Sequence, residues 1–274
     1  EGELEALDTY VFADYYNYYQ FLSHRSETNI TKEMIDTYTL TLLNKITTTP
    51  EKSKLYEAGQ YFKKYEAMYG TNALLMYGVS INESYWGLST IAQDKNNLFG
   101  HGAVDSNPYY GANGYESPDM SILYHSKMFV SEGYLDPKDY SNRFWGGHLG
   151  DKNSGMNVKY ASDTYWSEKM AANYYSFDSA KGLQDYNYYQ LGVVIGPTNA
   201  YISPSSNSTL VYKYPEKDDG VLIVDEVTNS EGTWYKLQSD KIINGTTITT
   251  VGDYNWDSYV YVKKEQVTKI NTPK

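Results

Sequence analysis

Apolar and aromatic positions recur at helical spacing over the first third of the chain, and the texture from about Leu4 to Ala92 predicts helices. Asp8 to Ser23 is rich in aromatic and apolar residues and holds no Gly or Pro. Thr31 stands as an N-cap before Lys32-Glu33-Met34-Ile35. Between Ser53 and Tyr69, Leu55, Tyr56, Gly59, Phe62, Tyr65 and Ala67 fall near the helical period, and Gly70 ends the run. Asn72 or Thr71 caps the next helix, an apolar stretch that leads to Glu83 and breaks at Gly87.

The pattern changes from Asn96 to Ser117. Glycines at 100, 102, 111 and 114, with Asn107-Pro108 and Asn113-Gly114, signal turns. Asn113-Gly114 between short aromatic stretches predicts a hairpin, and so a small β-lobe. Helical texture returns over Asp119 to Glu132 and again over Asp163 to Tyr175, separated by a glycine-rich loop, Asp139 to Asn157. Beyond residue 188 short strands take over: Leu191 to Ile195, Val221 to Val227, Trp234 to Leu237, Thr246 to Val251 and Tyr259 to Val262. Turns at Asp218-Asp219-Gly220, Ser230-Glu231-Gly232 and Asn244-Gly245 separate them, as in a small barrel or sandwich. The expected fold is α+β, with a mainly helical domain over 1–187 and an all-β domain over 188–274, joined by a linker at Asp178 to Tyr189.

Composition narrows the function. The 274 residues carry 34 acidic and 23 basic side chains, a net charge of −11, which argues against a phosphate backbone or an anionic membrane as partner. No apolar run approaches the length of a bilayer span. Cysteine is absent, which removes disulfides, thiolate zinc sites and a cysteine nucleophile. Lack of cysteine fits either compartment and is common in exported proteins of bacteria with a single membrane. The chain opens at Glu1-Gly2-Glu3 without a signal-peptide pattern, as a mature or trimmed form does. Tyrosine is abundant, with 32 copies beside 5 Trp and 7 Phe. Such rings suit surfaces that stack on sugars and hydrogen-bond their hydroxyls; compositional drift in an AT-rich genome is the equal alternative.

The residue that stands out chemically is Glu83. A carboxyl delivered from the end of an apolar helix is partly desolvated, and desolvation disfavours the ionised form of such a group. Cleavage of a glycosidic bond needs a proton for the leaving oxygen. Glu83 is thus a candidate general acid, with Trp86 as an apolar wall beside it. Most glutamates at helix ends are plain surface residues, and its neighbours are what raise Glu83 above that reading.

Those neighbours resemble a known family. Glu83-Ser84-Tyr85-Trp86-Gly87-Leu88-Ser89 is followed by Asn96-Asn97-Leu98-Phe99-Gly100-His101-Gly102-Ala103. Then come Asp105-Ser106-Asn107-Pro108, Gly146-Gly147-His148-Leu149-Gly150, and the block from Gly155 to Lys169 around Tyr160-Ala161-Ser162-Asp163. Together, over about Leu55 to Ala172, these resemble the N-acetylglucosaminidases of glycoside hydrolase family 73, close to the clostridial and staphylococcal autolysins. The resemblance implies a lysozyme-like fold and hydrolysis of the bond between N-acetylglucosamine and N-acetylmuramic acid in peptidoglycan. It aligns Glu83 with the proton donor and Tyr160 with a cleft tyrosine implicated in catalysis. His101 stands where isoleucine is frequent, and Thr164 replaces the usual proline.

A second catalytic group stays open. A retaining enzyme needs a nucleophile about 5 Å from the acid, and an inverting one a base roughly 6.5–9.5 Å away. Glu116, after the Asn113-Gly114 turn, is favoured over Asp105, which fits a turn cap beside Asn107-Pro108. The third option is attack by the substrate's own N-acetyl group, with Tyr160 orienting it or stabilising positive charge. Trp86, Asn97, Phe99, Tyr165 and Trp166 are candidate groove residues, each equally placed in a core or a turn. Asp163 is expected mainly to cap the helix that follows. No metal or cofactor is expected, since neither a zinc motif nor a phosphate-cradling loop is present; Asp136 to Asp139 reads as a turn around Pro137.

Gly232-Thr233-Trp234-Tyr235-Lys236-Leu237 resembles a strand of bacterial SH3-like domains, which often target cell walls. The usual Asn-Val-Arg-x-Gly-Pro block is absent, and Ala200-Tyr201-Ile202-Ser203-Pro204-Ser205 stands in its place. Wall binding and a structural role against the helical domain are both open. The expected partner is a peptidoglycan glycan strand, the expected location the bacterial cell wall after secretion, and the expected state a monomer. A catalytically inactive glycan-binding scaffold, or a lytic transglycosylase or muramidase, is the alternative.

Overall fold

The computed structural model describes residues 17–103, 107–137 and 143–274. At its centre is a helix whose side chains face protein on every side. Asn72 caps it by accepting a hydrogen bond from the Leu75 amide (3.1 Å), and Ala73 to Ile81 are all buried. A helix apolar all round belongs in the middle of a body. Among the described residues it is preceded by α1 (Tyr18–Phe21), α2 (Lys32–Ile46) and α3 (Gly59–Tyr69); the central helix is α4 (Ala73–Glu83). Thr31 caps α2 through the Met34 amide, and Gly70 closes α3 in a left-handed conformation at φ 63°, both as the sequence predicts.

The helical body continues with α5 (Thr90–Lys95), α6 (Pro108–Gly111), α7 (Pro118–Tyr124) and α8 (Trp166–Ala180). Directly after α7 the chain widens into a π-helix, His125–Tyr134, where the sequence predicts ordinary helix. Against α4 pack α3 and α8, and α8 also packs on α1.

Nine strands follow: β1 (Gln190–Val194), β2 (Thr198–Tyr201), β3 (Leu210–Tyr214), β4 (Gly220–Asn229), β5 (Gly232–Gln238), β6 (Ile242–Asn244), β7 (Thr247–Thr249), β8 (Tyr259–Lys263) and β9 (Val267–Lys269). Seven form one antiparallel sheet in the order β3-β2-β8-β5-β4-β1-β9, and β6 with β7 makes a hairpin. Its core includes Val194, Val211, Tyr214, Leu237, Val260 and Val262. The expected combination of helical body and antiparallel sheet is the observed one.

Four details depart from expectation. The helix expected over Asp8 to Ser23 lies largely outside the described residues, and its described part is helical only over Tyr18–Phe21. The run expected from Ser53 becomes helix only at Gly59, because residues before it turn, with Glu57 at φ 54°. The β-lobe has no strand among its described residues. Its carbonyls are taken instead by side chains: the Asn97 amide donates to His101 O and Asn113 O, and Lys95 to Tyr109 O and Ala112 O. With those acceptors satisfied, no ladder is needed to pair them.

Fourth, the segment from Asp178 to Tyr189 is sewn to the helical body rather than loose. Buried Asp178 accepts from the Tyr19 hydroxyl and from the amides of Gln184 (2.7 Å) and Tyr186 (2.9 Å). Buried Asp185 accepts from the Thr28 hydroxyl and the Asn29 amide (2.8 Å).

Arg25 joins helices to sheet. Its guanidinium, fully buried, donates to the carbonyls of Tyr69 (2.6 Å) and Asp240 (2.9 Å) and lies 4.2 Å from the centre of the Tyr254 ring. Leu191 and Val193 of β1 share the helical core.

Candidate active site

Glu83 is the last residue of α4, and the chain leaves it through an unusual turn. Tyr85, Trp86 and Gly87 are successively left-handed, at φ 48°, 59° and 72°. For non-glycine residues that conformation costs about 1–3 kcal/mol each unless the surroundings hold it. Here they do. Ser84 donates its hydroxyl to Ser80 O (2.5 Å) and accepts from the Gly87 amide (2.8 Å). The Trp86 amide donates to Ile81 O (3.0 Å), Ser53 donates its hydroxyl to Trp86 O (2.6 Å), and Gln93 donates its amide to Gly87 O (2.6 Å). The serines and the glycine of the motif therefore fix the helix end and, with it, the carboxylate.

The Glu83 side chain is half-buried. Its Oε1 accepts from the indole N–H of Trp166 (3.2 Å) and from the Asn82 amide (3.1 Å). On the other side lies the Asn97–Gly100 loop: a Cβ built on Gly100 would sit 3.8 Å from Oε2. That loop is held by Asn97, whose side-chain Oδ1 accepts from the backbone amides of Phe99 and His101 (both 3.2 Å). Phe99 lies flat on His125, ring centres 3.7 Å apart. His101 hydrogen-bonds the Tyr115 hydroxyl (2.8 Å) and His125 (3.0 Å), and burial pushes its imidazole down to about 3.

Behind Trp166 stands Tyr160, ring on ring at 4.2 Å and 21°. Phe129 meets the Tyr160 ring edge-on, and Tyr134 flanks it. The Tyr160 hydroxyl is buried and has no hydrogen-bond partner among the described residues. Burial first, and then the charge of Glu83, hold it well above the ordinary tyrosine range. Tyr174, further along α8, is fully buried, its hydroxyl is without a partner among the described residues, and burial and then the charge of Glu83 raise it.

The structure thus gathers Glu83, Tyr160 and Trp166, with the Asn97–Gly100 loop opposite. Asn97 and Phe99 act as the braces of that loop, both buried. Trp86 turns away toward Tyr38 and lines a shallow hollow of about 180 Å³ with Ile81, Asn82, Tyr85 and Asn173. Tyr165 is exposed beside the site. Asp163 pairs with Lys169 and accepts from the Tyr165 amide (3.0 Å), which together hold its carboxyl below the usual range; it is not the cap expected from the sequence, since α8 starts after Tyr165 and has no side-chain cap. Glu116 is exposed and makes no hydrogen bond or ion pair with a described residue. Asp105 lies outside the described residues. Tyr174, Asn82 and Gly78 escaped the sequence reading. The one signal for Tyr174 is its spacing of eight residues from Trp166, which is about two helical turns and so the same face.

A sequence profile of the glucosaminidase family, described as mannosyl-glycoprotein endo-beta-N-acetylglucosaminidase, matches residues 59–179. A protein of Streptococcus pneumoniae serotype 4, provisionally named an endo-beta-N-acetylglucosaminidase, is 45% identical over 120 residues. That stretch is 44% of this chain and 17% of the streptococcal protein, so the chain spans only a small part of its relative's length. Among solved structures, S. aureus Autolysin E is 20% identical with a TM-score of 0.46, over 65% of this chain and 78% of that one. Major Bifunctional Autolysin is 23% identical with a TM-score of 0.43, over 63% and 74%. The segment from residue 59 to residue 179, which carries Glu83, Tyr160, Trp166 and Tyr174, is the part of the chain that matches the glucosaminidase family.

Proposed function

We propose that the chain is a peptidoglycan hydrolase that cleaves the β-1,4 bond between N-acetylglucosamine and N-acetylmuramic acid, with Glu83 as general acid. The observation that carries this reading is the setting of Glu83. It is a half-buried carboxyl at the end of a buried helix, oriented at one oxygen by Trp166 and Asn82 and faced by a glycine loop at the other. Two donors on Oε1 leave Oε2 to present the proton to the leaving oxygen. The match of residues 59–179 to the glucosaminidase family supports the substrate class.

At the anomeric carbon we favour the substrate's N-acetyl group as nucleophile. Among the described residues, the groups around Glu83 are aromatic and amide side chains, and Glu116 is exposed without a partner. In this reading Tyr160, stacked on Trp166, supports the developing positive charge through the electron-rich face of that aromatic pair. Residues 1–187 act in this reading as the catalytic unit and 188–274 as an SH3-like accessory module. Its role is structural support, since buried Arg25 and β1 tie the sheet to the helical core. The site of action is the bacterial wall, outside the cell.

Turnover of purified peptidoglycan by Glu83→Gln tests the assignment, with mass spectrometry of the products. The expected result is less than a tenth of wild-type activity, and reducing-end N-acetylglucosamine from the wild type. A Glu83→Gln enzyme that keeps more than a tenth removes Glu83 from the mechanism. A 1,6-anhydro-muramic end assigns a transglycosylase instead, and wall binding without reducing ends assigns an inactive scaffold. Glu116→Gln, run in parallel, is expected to stay active.

A further inference from the structure

Where the sheet docks on the helical body, the two leave a cleft of about 520 Å³ between them. Small-molecule sites of roughly 300–1,000 Å³ favour such junctions. One wall comes from residues 25–27 and the pair Tyr188-Tyr189, the other from β4, Trp256, Asp257 and Tyr259. This is not the groove over Glu83. Ser26, in its wall, accepts from the Asn72 side-chain amide (3.0 Å) at the start of α4, whereas Glu83 ends that 11-residue helix, about 16 Å away. The rings of the cleft are held in place. The Tyr188 amide donates to Asp185 O (2.9 Å), and the Tyr188 ring meets Tyr189 edge-on at 4.9 Å. Tyr189 donates its hydroxyl to Glu27 O (2.8 Å), and Trp256 is braced edge-on by Tyr254 at 5.1 Å. The pinned segment from Asp178 to Tyr189 thus presents Tyr188, which stays 52% exposed, to the cleft. A fixed ring half in solvent beside a cavity is a surface on which another flat body stacks.

The polar groups narrow the ligand. Arg25 is the one cation among the described residues that line the cleft, and its guanidinium is spent on the carbonyls of Tyr69 and Asp240. Glu27 and Asp257 are exposed, and neither carboxylate forms a hydrogen bond or ion pair with a described residue. Such groups accept and do not donate. An anionic ligand is therefore repelled, and one rich in donors is favoured. An ammonium brings donors too, but Lys236 already stands on the Tyr259 ring, Nζ 3.7 Å from its centre, so that wall carries a cation of its own. A neutral sugar, with a flat apolar face and a rim of O–H and N–H donors, meets every one of these demands. We propose that the cleft is a second saccharide-binding site, which stacks a sugar residue of a glycan strand on Tyr188 and holds its hydroxyls at Glu27 and Asp257. The choice of a wall glycan rests on the function proposed above. A strand held here and over Glu83 is bound at two points, and the second contact is intramolecular, so long strands are held more tightly than the groove alone would hold them. The cleft takes no part in bond cleavage.

The test sediments insoluble peptidoglycan, on ice, with the full chain carrying Glu83→Gln, and with that chain carrying Tyr188→Ala, Tyr188→Phe or Asp257→Ala as well. Positions 188 and 257 are exposed, so melting temperatures are expected to stay at the parent's. Tyr188→Ala is expected to weaken binding about 5- to 20-fold, Asp257→Ala about 2- to 5-fold, and Tyr188→Phe, which keeps the ring, by less than about twofold. The same losses are expected on glycan strands stripped of their stem peptides and in molar salt, since neither peptide nor net charge carries the contact. In an otherwise wild-type chain, Tyr188→Ala should raise KM on insoluble wall by the same factor and leave kcat unchanged. Parent-like binding in Tyr188→Ala overturns the proposal, as does an equal loss in Tyr188→Phe, because the ring is then not the platform. A loss that disappears on peptide-free strands or in molar salt assigns the cleft to a stem peptide and overturns the saccharide assignment. Hydrolysis of the wall by Glu83→Gln fails the function proposed above and leaves this inference standing, because binding on ice is read without turnover.

Discussion

Replacing Gly78 by alanine sets two effects of known size against each other. In the interior of a helix, Gly→Ala is favourable by about 0.8–1.0 kcal/mol, because the unfolded chain loses freedom and the helix gains a good former. At Gly78 the new methyl would sit 2.0 Å from Cε1 and 2.3 Å from Cδ1 of Tyr174. Carbon atoms in contact rest about 3.5–4.0 Å apart, so helix or ring must give by roughly 1.5 Å. The ring cannot swing outward, being fully buried and flanked by Tyr19. Overpacking of this kind costs about 1–3 kcal/mol, occasionally more, and here the upper part of that range applies. The clash wins. Gly78→Ala should therefore destabilise by about 1–2 kcal/mol, or lower the melting temperature by roughly 2–8 °C at the 2–4 °C per kcal/mol of chains near this size. Scanning calorimetry with near-ultraviolet circular dichroism reads it. The decisive arm is the same change in a Tyr174→Ala background, where the obstacle is gone and Gly78→Ala should turn stabilising. A melting temperature raised by Gly78→Ala in the wild-type background, or an equal effect in both backgrounds, refutes the packing argument.

Two further outcomes follow from the same contacts. Trp166→Phe keeps a ring to stack on Tyr160 but deletes the N–H donated to Glu83. A hydrogen bond to a charged group is worth about 1.5–3 kcal/mol, so kcat/KM on peptidoglycan should fall about 10- to 100-fold, and a fall of less than threefold would show that the bond does not orient the acid. At the sheet, buried Asp219 has one carboxyl oxygen without a partner among the described residues, and burial pushes it up to about 8. Its folded-state value lies above the unfolded one, so the folded chain binds the extra proton and stability is lost as pH rises from about 4 through 8. The slope approaches 1.4 kcal/mol per pH unit where the difference is a full proton. Asp219→Asn removes that loss, and its melting temperature should climb relative to wild type between pH 5 and pH 9. A constant difference across that window would show that Asp219 is not protonated in the folded chain.

Much of the site was readable one segment at a time. Thr31, Gly70 and Asn72 mark helix ends by chemistry that acts within a few residues. The apolar run before Glu83 announces a buried helix, and Ser84, Gly87 and Ser89 announce its abrupt end. Asp163 was expected to cap the helix after it, but that helix starts only at Trp166 and has no side-chain cap. Trp86 was open between a wall of the groove and the core; three consecutive left-handed residues turn it toward Tyr38, which no period or propensity reports. For Asn97 and Phe99 the sequence left a substrate contact and a place in a turn or core both open; their packing on His101, Asn113 and the π-helix residue His125 is tertiary.

What the sequence by itself determined is therefore several helix ends, the helical and strand-rich halves, and the placing of a carboxyl at the end of a buried helix. Those follow from caps, periodicity and glycine positions, which act over one or two turns of chain. The tertiary structure alone decided that Trp166, 83 residues away, donates to Glu83, and that the Tyr160 ring stacks on Trp166. It also decided that Arg25 ties the sheet to the helices through carbonyls up to 215 residues distant. Such contacts depend on backbone acceptors, ring orientation and the absence of a side chain at Gly78, and none of these leaves a regular trace along the chain.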